Sequence, residues 1–313
     1  MTAHHPSLSH SLRLRVRPAA FLALIAALVP LLFIGGCVAS LSGPNADFRE
    51  VLLQGEGSDK ILLIDIEGPI ANDPVLVPGI GVVPGITARV RQELELAYDD
   101  PDIHGVLLRI NSPGGTLTDS DIIHHSLMEF KKSKKVKIVA AMGDLAASGG
   151  LYVAMAADEI YAHPTTITGS IGVIIPHLNY SGLFEKLGLA SDPVTSGKFK
   201  DMDSPYRPRK EEEKKLLQKL VDDQYEKFVH VVKDGRPHMS MQQVRSLADG
   251  RILSAQDALA AGLIDHIGYL DDAYRRISEL AGFPKNSLIR YANVWQTGSN
   301  IYSTAAPVEL FNN

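Results

Sequence analysis

The chain has 313 residues, of which 45% are hydrophobic and 21% are charged, and this balance is typical of a globular protein with a sizeable core. Its net charge of −5 argues against nucleic acid as the main partner. Because Cys37 is the only cysteine, an internal disulfide is excluded.

The amino terminus has the pattern of a targeting segment. Arg13, Arg15 and Arg17 precede an apolar run at 19–36, and small residues lead directly into Cys37. This ending resembles the lipobox of bacterial lipoproteins, in which the cysteine receives a lipid, so we predict lipidation at Cys37. The alternatives are a core cysteine and an uncleaved helix, for which the run is short. A lipid or an uncleaved helix would tether the body to a membrane on the extracytoplasmic side of the bacterial cell envelope.

Short strands alternate with helices along the rest of the chain, which predicts an α/β fold with parallel pairing. Residues 1–36 are predicted to form a signal peptide or membrane anchor, 37–58 a tether, 59–282 the main domain and 283–313 an extension. Strands are predicted at 60–66, 105–110 and 136–142, with two more within 158–174 and one early in 190–205. Helices are predicted at 87–100, 119–132, 180–188 and 208–234, and after Ser148.

The long helix at 208–234 has apolar residues on one stripe, which we interpret as a core-facing surface. These residues are Leu216, Leu217, Leu220, Val221, Tyr225 and Phe228.

Two of the predicted strands end in glycine-rich breaks, at 109–115 and 143–150. Strand ends on one side of a crossover α/β sheet gather at one cleft, so free N–H groups of both breaks can point into a common space. Such donors hold the negative oxygen of an acyl-transfer intermediate. Ser148 lies in the second break among alanines and glycines, which suits an exposed nucleophile. It equally suits a tight helix–sheet contact in which the serine has no role.

Four motifs in this order resemble the signal peptide peptidase A family of S49 serine peptidases, in its short single-copy form. They are "NSPGG", "ASGG", "TGSIGV" and "SGKFKD", and "GRILSAQDALAAGLIDHIG" at 250–268 matches a characteristic downstream segment. The resemblance runs from about residue 60 to about 282. It implies a Clp protease/crotonase-like fold with βαβ units and glycine-rich oxyanion turns, and it makes 59–282 the peptidase domain.

The resemblance assigns a role to each motif. It makes Ser148 the nucleophile and Lys200 the base, with Lys198 as a solvent-facing neighbour, and makes Ser170 the residue that orients the lysine. The backbone amides of Gly114, Gly115 and Gly149 would form the oxyanion hole. A lysine base must be unprotonated, and because free lysine titrates near ~10.4, its cleft must be dry and apolar.

Two histidines, His163 and His177, offer a rival base, although both are expected to be turn or core residues. No spacing resembles a zinc site, and no metal or cofactor is expected. The main alternatives in function are a crotonase-type enzyme acting on acyl-CoA and a non-catalytic membrane scaffold.

The sequence therefore predicts a membrane-tethered serine endopeptidase that cleaves remnant signal peptides and other membrane-adjacent apolar peptides. A ring-like homo-oligomer is expected, because a single copy must obtain from its neighbours the contacts that a second copy supplies in the family's long form.

Overall fold

The computed structural model describes residues 48–77, 81–293 and 300–302. The predicted targeting segment and Cys37 lie outside these residues. Within the described part of the chain, no helix is both long enough and apolar enough to cross a membrane.

A sheet of nine strands runs through the described domain, and its central strands are the apolar runs of the sequence. The order is β1-β11-β2-β5-β6-β7-β10, and β8 pairs with both β6 and β9. Strands from β11 to β10 are parallel, while β1 pairs antiparallel with β11 at one edge. A separate hairpin joins β3 to β4. The strands are β1 (Phe48–Gly55), β2 (Lys60–Glu67), β3 (Val75–Val77), β4 (Gly81–Val83), β5 (Ile103–Ser112), β6 (Lys137–Ala147), β7 (Glu159–Ala162), β8 (Ile167–Gly169), β9 (Ile252–Ser254), β10 (His266–Ile267) and β11 (Ser287–Asn293).

Eight helices are described, and they cover both faces of the sheet. Local signals set the ends of α2 (Leu117–Lys134): the Thr116 hydroxyl accepts the Asp119 amide at its start, and Lys135 ends the helix at a φ of 56°. The helices are α1 (Ile86–Asp99), α2 (Leu117–Lys134), α3 (Gly149–Ala154), α4 (Ser181–Lys186), α5 (Glu211–Gly235), α6 (Met241–Leu247), α7 (Ala255–Ala260) and α8 (Leu270–Ala281).

The core divides into two layers because side chains alternate across the strands. On one face, Leu62, Ile64 and Ile66 of β2 pack in the larger cluster, which includes residues of α1, α2 and α3. On the other face, Ile61 and Leu63 pack in a smaller cluster with residues of α8. With both faces covered, the central strands are buried, as parallel sheets require.

The predicted α/β class with βαβ units is confirmed, and the main strands and helices lie where the patterns placed them. Three segments differ from expectation. Residues 48–55 and 287–293, assigned to the tether and to the extension, form β1 and β11, which pair with each other inside the sheet. The strand expected within 190–205 is absent from these described residues.

The apolar stripe of α5 is only partly a core surface. Phe228 is 1% exposed, but Leu216 and Leu220, nearer the start of the helix, are 42% and 50% exposed. The first half of α5 therefore presents apolar side chains to solvent in a single chain.

A buried carboxyl group lies on the sheet-facing side of α1. Glu93 is almost fully buried, and its Oε1 accepts a hydrogen bond of 2.6 Å from Arg89, one turn earlier in the helix. Burial raises the pKa of Glu93 to about 7, partly offset by Arg89. The folded state thus binds a proton between about pH 5 and pH 7 that the unfolded chain has already released.

We predict that this proton makes the domain less stable as the pH rises through that window. Between pH 5 and pH 8 the free energy of unfolding of the wild type should fall by about 2 kcal/mol relative to that of Glu93→Gln, which cannot titrate. Urea unfolding at the two pH values measures this. Glu95→Gln is the matched control, because Glu95 pairs with Arg91 at the same spacing on the exposed face of α1. Parallel pH slopes for the wild type and Glu93→Gln would contradict the prediction.

Candidate active site

Ser148 occupies the sharp turn between β6 and α3. Its φ of 52° and ψ of −119° are rare for a residue with a side chain and cost about 1–3 kcal/mol. The surroundings hold this conformation: the Ser148 amide donates to the Gly169 carbonyl at 2.9 Å, and the Tyr152 amide donates to the Ser148 carbonyl at 2.9 Å. The turn therefore fixes the hydroxyl-bearing residue at the mouth of α3.

The small residues around Ser148 are required because two backbone turns meet there. A Cβ on Gly114 would lie 2.6 Å from the Gly149 nitrogen, and a Cβ on Gly149 would lie 2.3 Å from Ser120 Oγ. A Cβ on Gly115 would lie 2.0 Å from the Ile70 carbonyl oxygen. A side chain at Gly114 or Gly149 would separate the turn after β5 from the turn after β6, and one at Gly115 would overlap the backbone of Ile70.

Two backbone amides at this meeting point are available to a ligand. Within the described residues, the N–H groups of Gly115 and Gly149 have no hydrogen-bond acceptor. The two groups are close, since a Cβ on Gly149 would lie 3.2 Å from the Gly115 nitrogen. The Gly114 amide, by contrast, donates to Ser112 Oγ at 3.1 Å. Of the three predicted oxyanion donors, Gly115 and Gly149 are thus the two whose N–H groups have no acceptor among the described residues.

Two serines that the sequence reasoning did not single out support the turns. Ser112 is fully buried and accepts the Gly114 amide, which fixes the glycine turn to the end of β5. Ser120 is also buried, and its hydroxyl donates to the Thr116 carbonyl at 2.8 Å. Ser112 belongs to the "NSPGG" motif, and its polar side chain directly before the glycine turn could have identified this supporting role from the sequence.

Ser170 lies beside the Ser148 turn because β8 pairs with the end of β6. Gly169 pairs with Ala147, so the residue after each strand lies at the same edge of the sheet. Ser170 has a φ of 53°, and its amide donates to the Arg251 carbonyl at 2.7 Å. The structure thus brings Ser148 and Ser170 together.

Lys200 lies in the turns that follow residue 195, and its side chain is exposed. Its amide donates to the Gly197 carbonyl at 3.1 Å, and its ammonium has no hydrogen bond or ion pair among the described residues. Among the described residues, no hydrogen bond joins Lys200 to Ser148. Lys198, two residues earlier, differs because its ammonium pairs with Glu212 and lies 5.1 Å from the centre of the Phe199 ring.

Among the described residues, the contacts given for the two histidines do not involve Ser148. His163 packs edge-on against Tyr269 and lines a separate cavity of about 260 Å³. His177 forms an ion-pair contact of 2.9 Å with Asp203. Neither has a hydrogen bond to Ser148 among the described residues.

A cavity of about 190 Å³ opens beside Ser148. Tyr152 forms part of its wall, and burial, together with a hydrogen bond of 2.6 Å to Asp121, raises the pKa of Tyr152. The phenol is therefore neutral at physiological pH. The lining of the cavity is mixed, because Thr116 and Ser120 lie in it beside apolar residues. The side chains of this lining include Leu117, Tyr152, Val173, Ile174 and Phe228.

Within the described residues, no group of histidine, cysteine and acidic side chains is arranged to hold a metal ion. The groups at this edge of the sheet are the strained Ser148, the amides of Gly115 and Gly149, and the cavity beside them.

Comparison with known proteins places this arrangement in a family. The model of peptidase family S49 matches residues 130–283. A candidate signal peptide peptidase SppA of Enterococcus faecium is 37% identical over 80% of this chain and 72% of its own length. A candidate protease of Synechocystis sp., slr0021, is 44% identical over 71% of this chain and 75% of its own length.

A ClpP1 mutant from Listeria monocytogenes is similar in structure, with a TM-score of 0.43 and 17% identity, over 67% of this chain and 93% of its own. A candidate protease of Methanocaldococcus jannaschii, MJ0651, is 36% identical over 81% of this chain and 79% of its own length. From these sequence matches, the chain belongs to peptidase family S49, in its SppA-type branch, and is a serine protease.

Proposed function

We propose that this protein is a membrane-tethered endopeptidase that uses a dyad of Ser148 and Lys200 to cleave apolar peptides, including remnant signal peptides. The observation that carries the proposal is the strained Ser148 turn with the free amides of Gly115 and Gly149 beside it. A strained serine next to unpaired donors is the arrangement that acyl transfer requires.

The proposed reaction begins when the Lys200 amine accepts the proton of the Ser148 hydroxyl as its oxygen attacks the scissile carbonyl carbon. The carbonyl oxygen becomes negative and accepts hydrogen bonds from Gly115 and Gly149. The lysine then gives its proton to the departing amine. A water molecule, deprotonated by Lys200 in the same way, then attacks the acyl carbon, and Lys200 returns the proton to the Ser148 oxygen as the acyl–oxygen bond breaks.

The contacts of the two lysines support Lys200 as the base. The Lys198 ammonium is paired with Glu212. Lys200 has no such partner among the described residues and so is available to another group. The neighbouring Ser170 hydroxyl would orient the amine once it enters the cleft.

The surroundings of Ser148 suit an extended apolar substrate. The cavity next to the serine includes aliphatic and aromatic side chains, together with Thr116 and Ser120. The backbone of 172–176 has no hydrogen-bond partner in the described structure, so it can pair with a peptide in extended form. The name of the Enterococcus faecium relative, a signal peptide peptidase, agrees with this substrate class.

We further propose that Lys200 reaches the Ser148 of a neighbouring subunit in a ring-like homo-oligomer. Lysine can act as a base only in a drier environment than an exposed turn provides. The chain around Lys200 also exposes an apolar surface of the kind that subunits bury, and Ile174 is 80% exposed. Other members of this surface are Leu178, Leu183, Leu187, Leu189, Val194, Leu216 and Leu220.

The amino-terminal segment supplies the proposed membrane tether, on the extracytoplasmic side of the bacterial cell envelope. The basic, apolar and small-residue regions that end at Cys37 support it. A tethered protease of this kind would meet cleaved signal peptides where they are released.

The proposed dyad predicts that replacing Lys200 and replacing Lys198 have very different effects on activity. Ser148→Ala and Lys200→Ala should each lower hydrolysis of an internally quenched apolar peptide by at least about 10³-fold, because each removes one half of the proton transfer. Lys198→Ala should stay within about threefold of the wild type, since its ammonium is already paired. Turnover rates of the three purified variants decide the assignment. An inactive Lys198→Ala with an active Lys200→Ala would reverse it.

Sharing of the dyad between subunits predicts complementation. Ser148→Ala and Lys200→Ala chains, each inactive alone, should regain a measurable fraction of wild-type activity when they are dissociated, mixed and reassembled. The reason is that some contacts then join an intact serine to an intact lysine. Mixtures that stay inactive, or a fully active monomer in light scattering, would refute the shared site.

The tether predicts lipid attachment at Cys37. Metabolic labelling with a lipid precursor should mark the wild type and leave Cys37→Ala unmarked, because the thiol is the acceptor. Equal labelling of both, or labelling of neither, would indicate an ordinary signal peptide or an uncleaved anchor.

A further inference from the structure

The loop that follows Lys200 is closed by two ion pairs with the same spacing. Asp201 pairs with Arg207 and Asp203 pairs with Arg209, each six residues apart, through nitrogen–oxygen contacts of 2.8 Å and 2.7 Å. His177 lies 2.9 Å from Asp203 on the other side. The backbone that carries Lys200 is thus tied directly to the segment leading into α5.

Arg207 is the centre of this connection. Besides its bond to the Asp201 carboxylate, it donates to the Asp201 carbonyl oxygen at 3.1 Å and to the Pro208 carbonyl oxygen at 3.1 Å. It also binds both carboxylate oxygens of Glu213 at 2.6 Å and 2.9 Å. All five N–H groups of the guanidinium have an acceptor. Arg207 is therefore more fully hydrogen-bonded than the arginine of an isolated surface ion pair.

Glu213 is the fixed end of the connection. Its side chain is fully buried in the first turn of α5, and it also accepts the Lys210 amide at 3.0 Å. The hydrogen bonds from Arg207, followed by that from Lys210, lower the pKa of Glu213 to about 2, so it stays ionised. A buried carboxylate whose two oxygens both bind one arginine holds that arginine in place.

These contacts leave the backbone after Lys200 with little freedom. Arg207 holds both the side chain and the carbonyl of Asp201, and Asp203 is held at a φ of 68°. The Lys200 side chain itself remains exposed. The result is a rigid support that presents a free ammonium.

We propose that Arg207 is a positioning residue for catalysis, which acts through Asp201 to hold Lys200 in the geometry of proton transfer. This inference rests on the proposed role of Lys200 as the base. Arg207 itself touches neither substrate nor Ser148. Lysine cannot replace it, because a single ammonium cannot bind the Asp201 carbonyl and two carboxylates in one plane.

The test compares kcat and KM on an apolar peptide for full-length variants. Arg207→Met should lower kcat by about 100-fold with KM within about twofold, because a base displaced by about 1 Å loses proton transfer while the substrate cavity is unchanged. Arg207→Lys should recover only part of that loss. Arg245→Met is the matched control, because Arg245 binds Glu226 through two bonds of 2.7 Å and 2.8 Å farther along α5, and it should stay within about twofold of the wild type.

A second variant separates positioning from folding. Asp201→Asn leaves the contact between Arg207 and Glu213 in place and should still lower kcat by about tenfold at unchanged KM. An Asp201→Asn enzyme with wild-type kcat would overturn the proposal, even if Arg207→Met failed to fold or to assemble. Equal kcat for Arg207→Met and Arg245→Met would also overturn it.

Lys200→Ala, assayed together with these variants, distinguishes failure of the proposed dyad from failure of the positioning role alone. If Lys200→Ala is inactive and Arg207→Met is fully active, only the positioning role fails. If Lys200→Ala is active, the dyad fails and the positioning role fails with it.

Discussion

The candidate site depends on how closely two backbone turns approach each other at the carboxyl ends of β5 and β6. The approach is so tight that a single methylene on Gly114 or Gly149 would overlap its neighbour. Because no side chain separates them, the amides of Gly115 and Gly149 can point at one atom of a ligand. Ser148 lies beside this contact, where the end of β6 turns sharply into α3 and the backbone of Ser148 has a positive φ.

Rigidity and exposure are distributed unevenly around this contact. The turn of Ser148 rests on buried strands and on the fully buried first helix after it, so the proposed nucleophile lies against the core of the domain. The segment with Lys200 lies outside that core, and its order comes from ion pairs instead of apolar packing. The proposed base therefore lies on a charged, solvent-facing support outside the apolar core.

Sequence patterns predicted the parts of this architecture that local chemistry controls. The buried runs at 60–66 and 105–110 became central strands, and the small residues around Ser148 marked the contact between the turns. Local sequence patterns do not show which distant segments pair, so β1 and β11 were assigned to flanking segments although they pair with each other. The exposure of Leu216 and Leu220 was also missed, because an apolar stripe has the same spacing whether its partner is the core or another chain.

The division of the proposed dyad between two kinds of support has a physical consequence. Lys200 is exposed in the single chain, whereas a lysine base needs surroundings from which water is excluded. In the proposed assembly, a neighbouring subunit removes water from this lysine and brings it to the serine in the same step, so protonation state and geometry become correct together. A single chain would then carry an oxyanion hole and a nucleophile without the means to activate it. Proteolysis would depend on subunit contact, and it would be confined to a cleft that only an extended peptide can enter.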